Sequence, residues 1–165
     1  MFLGVDTGCV HVIKEALTLF VLSSDLPEGL QFGEITENHA QQICGEWKYG
    51  TAESLPFSRY ILRNRFPSSG VFTQDGRLVA YILYRFDGMM FSGFVHPDVR
   101  RLGLFQAVNY NMVEKLASSG QDVGLLTVEP FNAGSLASNA KLGAKKVDPN
   151  DYGHECYKFT PVLKF

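Results

Sequence analysis

Two Asp-Gly pairs twelve residues apart, Asp75-Gly76 and Asp87-Gly88, constrain this chain more than any other feature. Each stands between apolar runs: Gly70 to Thr73, Leu78 to Arg85 and Met90 to Val95. Asp-Gly supplies the positive φ angles of a two-residue hairpin turn, so the pattern predicts a meander of three antiparallel strands. Leu30 to Ile35 alternates apolar and polar residues and reads as a further strand. Between it and the meander lie two helical stretches. Glu37 to Trp47 places Ala40, Ile43, Cys44 and Trp47 on one face, with Thr36 as N-cap but His39 where a full capping box has Glu or Gln. The second runs from Ser54 or Leu55 to before Pro67, with Leu55, Tyr60, Ile61 and Phe66 inward and Arg59, Arg63 and Arg65 solvated.

After the meander, Arg100 to Ser118 reads as a helix closed by Gly120. Val123 to Val128 is a continuous apolar run, the pattern of a strand buried on both faces. Asn132 to Leu142 is a helix stopped at Gly143, and Lys145 to Val147 and Glu155 to Phe159 are terminal strands. Val10 to Leu22 reads as one or two strands, joined to the rest by the turn-rich Ser24 to Gly29. A meander followed by a β-α-β crossover gives an α/β fold: a mixed, mostly antiparallel sheet with helices on both faces. Residues 30–165 read as one domain and 1–29 as an N-terminal extension, or, by the family resemblance described below, the remnant of a preceding half.

Composition narrows the function classes. The net charge of -2 gives no basic footprint for phosphate backbones, which argues against nucleic acid as partner. Cys9, Cys44 and Cys156 are an odd count without CxxC spacing, so neither a disulfide framework nor a zinc site is indicated, and no His, Cys or acidic cluster has metal-ligand spacing. No stretch approaches the roughly 18–20 apolar residues of a membrane span. Ala16 to Ser23 follows Lys14 and Glu15 and makes a poor signal peptide. An intracellular, cytoplasmic setting is the simplest expectation.

The segment richest in chemistry is Val95-His96-Pro97-Asp98-Val99-Arg100-Arg101-Leu102-Gly103-Leu104-Phe105. A strand ends, a loop turns, and a helix opens at Arg-x-x-Gly. The first helical turn carries unpaired N–H groups and the positive end of the dipole, an anion site that glycine opens to close approach. The expected contacts are Arg100, Arg101, Leu102, Gly103, Leu104 and Phe105.

This segment resembles motif A of the GNAT superfamily, Arg/Gln-x-x-Gly-x-Gly/Ala. Arg100 and Gly103 take the first two marked positions, and bulky Phe105 the third. Glu46-Trp47-Lys48-Tyr49-Gly50, Ser58-Arg59-Tyr60-Ile61 and Phe66-Pro67 resemble the pattern preceding the first hairpin in glycine N-acyltransferases. Phe131-Asn132-Ala133-Gly134-Ser135 with Lys141-Leu142-Gly143-Ala144 resembles motif B. The resemblance, from about Leu30 to Val147, implies a GNAT-type fold similar to the C-terminal part of the glycine N-acyltransferases. It implies acyl-CoA or acetyl-CoA as co-substrate, with no permanently bound cofactor, and a small amine such as glycine or another amino acid as acceptor. It implies pantetheine along the edge at Phe94 and Val95, with Asn132 near the cofactor, and admits a mitochondrial setting. The usual base slot holds Met89 and the usual acid slot Asn139. Glu129, at the end of the apolar strand, is therefore the expected base. A weakly active or inactive acyl-CoA-binding fold, and a fragment of a two-half enzyme, are the alternatives. His96 and Cys44 read as structural residues.

Overall fold

The computed structural model describes residues 8–12, 26–121, 124–129, 131–146 and 157–159. The chain divides into two compact units, Ser24–Lys115 and residues 1–23 together with 116–165.

The Ser24–Lys115 unit is built on four antiparallel strands: β2 (Leu30–Gly33), β3 (Ser68–Thr73), β4 (Leu78–Tyr84) and β5 (Met89–Val95), each paired with the next. All residues of β4 are buried, as the central strand of a sheet covered on both faces must be. One face carries two helices, α1 (Ala40–Glu46) and α2 (Ser54–Arg63). Ile35, Ala40, Ile43 and Leu62 join Phe72, Leu78, Tyr81 and Leu83 in one core, with Leu55, Phe91 and Phe94 against it. The other face receives α3 (Leu104–Ser118), whose Asn111 Oδ1 accepts from the Ser69 hydroxyl at 2.9 Å. The Lys115 ammonium donates to the Ser68 carbonyl at 2.7 Å.

Both Asp-Gly turns form, but not as two-residue loops. Only the glycines take positive φ, Gly76 at 84° and Gly88 at 85°. Gly76 N–H donates to Thr73 O and Thr73 N–H to Arg77 O; Gly88 and Arg85 repeat the pattern with Arg85 O and Met89 O. These are three-residue loops in which a turn is followed by a left-handed glycine. Asp75 and Asp87 have no need of the left-handed conformation here.

Local chemistry also refines the helices. His39 completes a box with Thr36 by accepting the Thr36 N–H on Nδ1 at 3.0 Å, the part that Glu or Gln ordinarily plays. Ser58, Ile61 and Leu62 form the buried face of α2, and Tyr60, expected inward, is exposed and lies beside Phe66. The helix ends with Arg65 at φ 54° and paired bonds from Phe66 N–H to Ile61 O and Arg65 N–H to Leu62 O, a left-handed closure that commonly uses glycine.

The second unit contains β1 (Gly8–Val12), β6 (Gly124–Val128), α4 (Ala133–Lys141), β7 (Ala144–Lys146) and β8 (Tyr157–Phe159). β1 pairs antiparallel with β6 and β7 and parallel with β8, and β8 pairs antiparallel with β6 and β7. The sheet is thus mixed and mostly antiparallel. β6 departs from the expected two-sided burial: Gly124, Leu126 and Val128 are buried, Leu125 is half-buried and Thr127 is exposed. Residues 13–22 of the expected N-terminal strand, together with 147 and 155–156 of the last two, lie outside the described residues.

Candidate functional site

β5 is not a regular strand. Tyr81 pairs with Phe94 and Leu83 with Phe91, so Ser92 and Gly93 together face Ile82 alone. This is a bulge, which bends the strand and re-aims the residues beyond it. Ser92 takes φ 53°, a conformation that L side chains adopt at a cost. The Ser92 residue is 6% exposed, and its hydroxyl has no hydrogen-bond partner among the described residues. Gly93 is needed for a different reason: a Cβ there would stand 3.3 Å from Phe105 Cε2 and 3.7 Å from Ile82 Cδ1. The sequence contained a signal for this site, because a Ser-Gly pair inside an apolar strand marks a bulge.

Beyond the bulge, the chain leaves the sheet through a braced loop. His96 N–H donates to Val79 O at 2.8 Å, and His96 Nδ1 accepts the Asp98 N–H at 3.4 Å, opening a single 3-10 turn over Pro97–Val99. Arg100 Nε donates to Val95 O at 3.1 Å, tying the loop back to the end of β5. His96 therefore has a loop-forming role.

The helix expected from Arg100 begins instead at Leu104. Arg101 at φ 66° and Gly103 at φ 77° are both left-handed, which interrupts any helix through them. The first rung of α3 is Ala107 N–H to Gly103 O at 3.0 Å. The amides of Leu104, Phe105 and Gln106 consequently precede the ladder and face outward from the helix start. A Cβ built on Gly103 would meet nothing within 4 Å, so the space before these amides is open. Arg100, Arg101, Leu102 and Gly103 are all exposed at this loop. Phe105 has its ring against the sheet at Gly93, so its bulk is accommodated by the bulge. The donors, the helix dipole and two arginines in this open loop suit a diphosphate.

The opposite face of the same strand pair joins groups to which the sequence assigned no shared role. The Tyr81 hydroxyl donates to Glu46 Oε2 at 3.0 Å, and its ring stacks on Phe94 with centroids 5.5 Å apart. Gln42 Nε2 reaches Glu46 Oε1 at 3.2 Å and Leu78 O at 2.9 Å. Burial first, and the Glu46 charge second, push the Tyr81 phenol well above its ordinary value, so it remains a donor. Trp47 and Phe57 lie edge-on or tilted to Phe91, continuing an aromatic wall beside Glu46. Contacts across 35 residues join these groups, so no local pattern announces them.

Phe94, Val95 and Arg100–Phe105 are thus brought together in one unit. Glu129 and Asn132 belong to the other. Glu129 is 8% exposed at the end of β6, and its carbonyl accepts the Asn132 N–H at 2.9 Å. Asn132 caps α4 by accepting the Ser135 N–H at 3.1 Å. Asn139 is buried, and its amide donates to Ser135 O at 2.8 Å and Ser135 Oγ at 3.1 Å. Cys44 is half-buried, with its thiol toward Thr51 O at 3.4 Å. Among the described residues no three His, Cys, Asp or Glu converge as metal ligands, and no helix is long and apolar enough to cross a membrane.

A mixed, mostly antiparallel sheet with flanking helices, a bulged strand and a glycine-opened helix start define a GNAT-type fold. The family model described as FR47-like protein matches residues 68–152, just over half of the chain, and this chain belongs to that family. Solved structures agree on the fold. A Drosophila protein is similar at 22% identity over 74% of this chain and 41% of its own, with a TM-score of 0.69. The ribosomal-protein-S18-alanine N-acetyltransferase of Escherichia coli is similar at 21% identity over 72% of this chain and 79% of its own, with a TM-score of 0.59. The Salmonella typhimurium protein yncA, solved with its cofactor acetyl-CoA, is similar at 16% identity over 72% of this chain and 81% of its own, with a TM-score of 0.59. The chain spans only about two-fifths of the Drosophila protein's length. No curated protein matches it in sequence.

Proposed function

We propose that this chain is an acyl-CoA-dependent N-acyltransferase, with a small amine such as glycine or another amino acid as acceptor. The observation that carries the reading is the path from the Ser92–Gly93 bulge to Gly103: an irregular strand feeding an open, amide-lined helix start. The Escherichia coli N-acetyltransferase and the acetyl-CoA-bound Salmonella protein, both similar in fold, support it.

The residues present fit the co-substrate. The amides of Leu104, Phe105 and Gln106 donate to the pyrophosphate, Gly103 leaves room for it, and Arg101 supplies charge. Leu102 lines the same loop. Arg100 holds the loop to Val95 with Nε and presents its remaining guanidinium N–H groups. Phe94 and Val95 offer backbone groups to the pantetheine arm. The bound co-substrate supplies an activated thioester. Glu129 accepts the amine proton, either directly or through a water it positions.

Asn139 favours a second reading, a CoA-binding fold of low catalytic power. It is buried and donates to its own helix, so it offers no proton to a leaving thiolate. Titration of CoA by calorimetry, followed by thiol release across acyl-CoA and amine pairs, separates the readings. Binding with turnover supports the enzyme, binding without turnover supports the second reading, and absence of binding refutes both.

A further inference from the structure

We infer, resting on the acyltransferase reading, that Glu46 selects amine acceptors carrying a second protonated nitrogen and holds that nitrogen while the other reacts. Glu46 is the last residue of α1, and its carboxylate turns toward the sheet. Oε2 accepts from the hydroxyl of Tyr81, a residue with no exposed surface, and Oε1 accepts from Gln42. Both donors are neutral. No cationic side chain among the described residues pairs with this carboxylate. Arg85 lies over the Phe91 ring at 5.8 Å but donates to both Asp87 oxygens, at 3.1 and 2.5 Å. Lys48 lies over the Tyr49 ring at 5.2 Å. A carboxylate has about four acceptor sites, so two donors leave room for a ligand. Glu46 is half-buried, so solvent reaches it.

Its surroundings favour a cation. The last turn of α1 has no basic residue, although a helix C-terminus favours positive charge. In a regular strand, residues three apart face opposite sides. The bulge instead sets both Phe91 and Phe94 against the core that α1 packs on, and both rings are half-buried. Phe94 stacks on Tyr81, which holds Glu46, and Phe91 meets Trp47, the next residue along the chain. Ring faces attract an ammonium and repel an anion. A carboxylate among them suits a protonated nitrogen and disfavours a carboxylate group. Phe94 also belongs to the edge proposed for pantetheine, so one molecule can place a nitrogen at each place. In the transfer, the reacting nitrogen bonds to the carbonyl carbon, the C–S bond breaks, and the amine proton ends on the CoA thiol by way of the base. The second nitrogen keeps its protons and its charge throughout. Glu46 determines specificity and undergoes no covalent change.

The test compares 1,4-diaminobutane with butylamine, which lacks the second nitrogen. Binding to CoA-saturated protein is read by calorimetry, and KM and kcat with acetyl-CoA by thiol release. Wild type should bind the diamine about ten- to a hundredfold more tightly than butylamine, as for one charge-assisted hydrogen bond. Glu46→Gln keeps the shape and should abolish that preference, through KM rather than kcat, with CoA affinity within about twofold. Phe91→Leu keeps the carboxylate, removes a ring face and should reduce the preference by about two- to fivefold. It decides the matter if Glu46→Gln does not fold, and an unchanged preference there would then overturn the inference. A preference that survives in folded Glu46→Gln, or a wild type that does not distinguish the two amines, would overturn the inference and leave the acyltransferase reading intact. A wild type that binds no CoA would overturn both.

Discussion

Replacing Gly103 with alanine should separate the stability of this fold from its affinity for CoA. The backbone there sits at φ 77°, and a Cβ would meet no atom of the protein within 4 Å. The folding cost is therefore backbone strain without a clash, roughly 1–2 kcal/mol for an L-residue in the left-handed region. At about 2–4 °C per kcal/mol for a chain of this size, the melting temperature should fall by about 2–8 °C. Gly76 is a matched control. It stands at φ 84°, also with nothing within 4 Å of a built Cβ, but in the β3–β4 turn. Gly76→Ala should lose a similar melting temperature and leave CoA binding alone. In Gly103→Ala the methyl group instead occupies the approach to the amides of Leu104–Gln106. Loss of one charge-assisted hydrogen bond, roughly 1.5–3 kcal/mol, weakens CoA by about ten- to a hundredfold. Gly103→Glu, which adds a negative charge beside the pyrophosphate, should weaken it further. Isothermal calorimetry with CoA and a thermal melt on each variant are sufficient. Equal CoA affinity in wild type and both alanine variants, with equal thermal losses, would refute the cradle at α3.

Glu129→Gln keeps size and hydrogen bonding while removing the base; turnover should fall by about 10²–10⁴-fold with CoA affinity unchanged, as read by thiol release and calorimetry. Wild-type turnover in that variant would remove Glu129 from the mechanism. Tyr81→Phe takes a fully buried donor from Glu46 and should cost about 1.5–3 kcal/mol by denaturant titration. Because the folded state holds the Tyr81 proton above the ordinary 10.0, the unfolded chain releases it first, and stability present below about pH 10 is lost as pH rises. Thermal melts above pH 10 should therefore fall more steeply in wild type than in Tyr81→Phe, and equal slopes would refute the assignment. Gly93→Ala over-packs against Phe105 and should cost about 1–3 kcal/mol, part of it recovered by Phe105→Leu in the same chain. Strictly additive effects of the two changes would show that the contact is not the cause.

The amino-acid sequence by itself determined the order of the elements and the place of the Arg100–Gly103 loop ahead of a helix. Both are written in local chemistry: the glycines at 76 and 88 demand turns, apolar periodicity marks strands and helices, and Arg100-x-x-Gly103 follows a strand. Its errors were local as well. The Asp-Gly turns have three residues because the aspartates can stay right-handed, and α3 starts at Leu104 because two left-handed residues intervene. Only the tertiary structure decided that Phe105 fits by facing Gly93, that Tyr81 holds Glu46, and that the Ser92 hydroxyl is buried without a partner among the described residues. The first two depend on side chains brought together by strand register and helix packing across 12 and 35 residues of sequence. A one-residue bulge changes which side chains meet, and no local propensity records that choice.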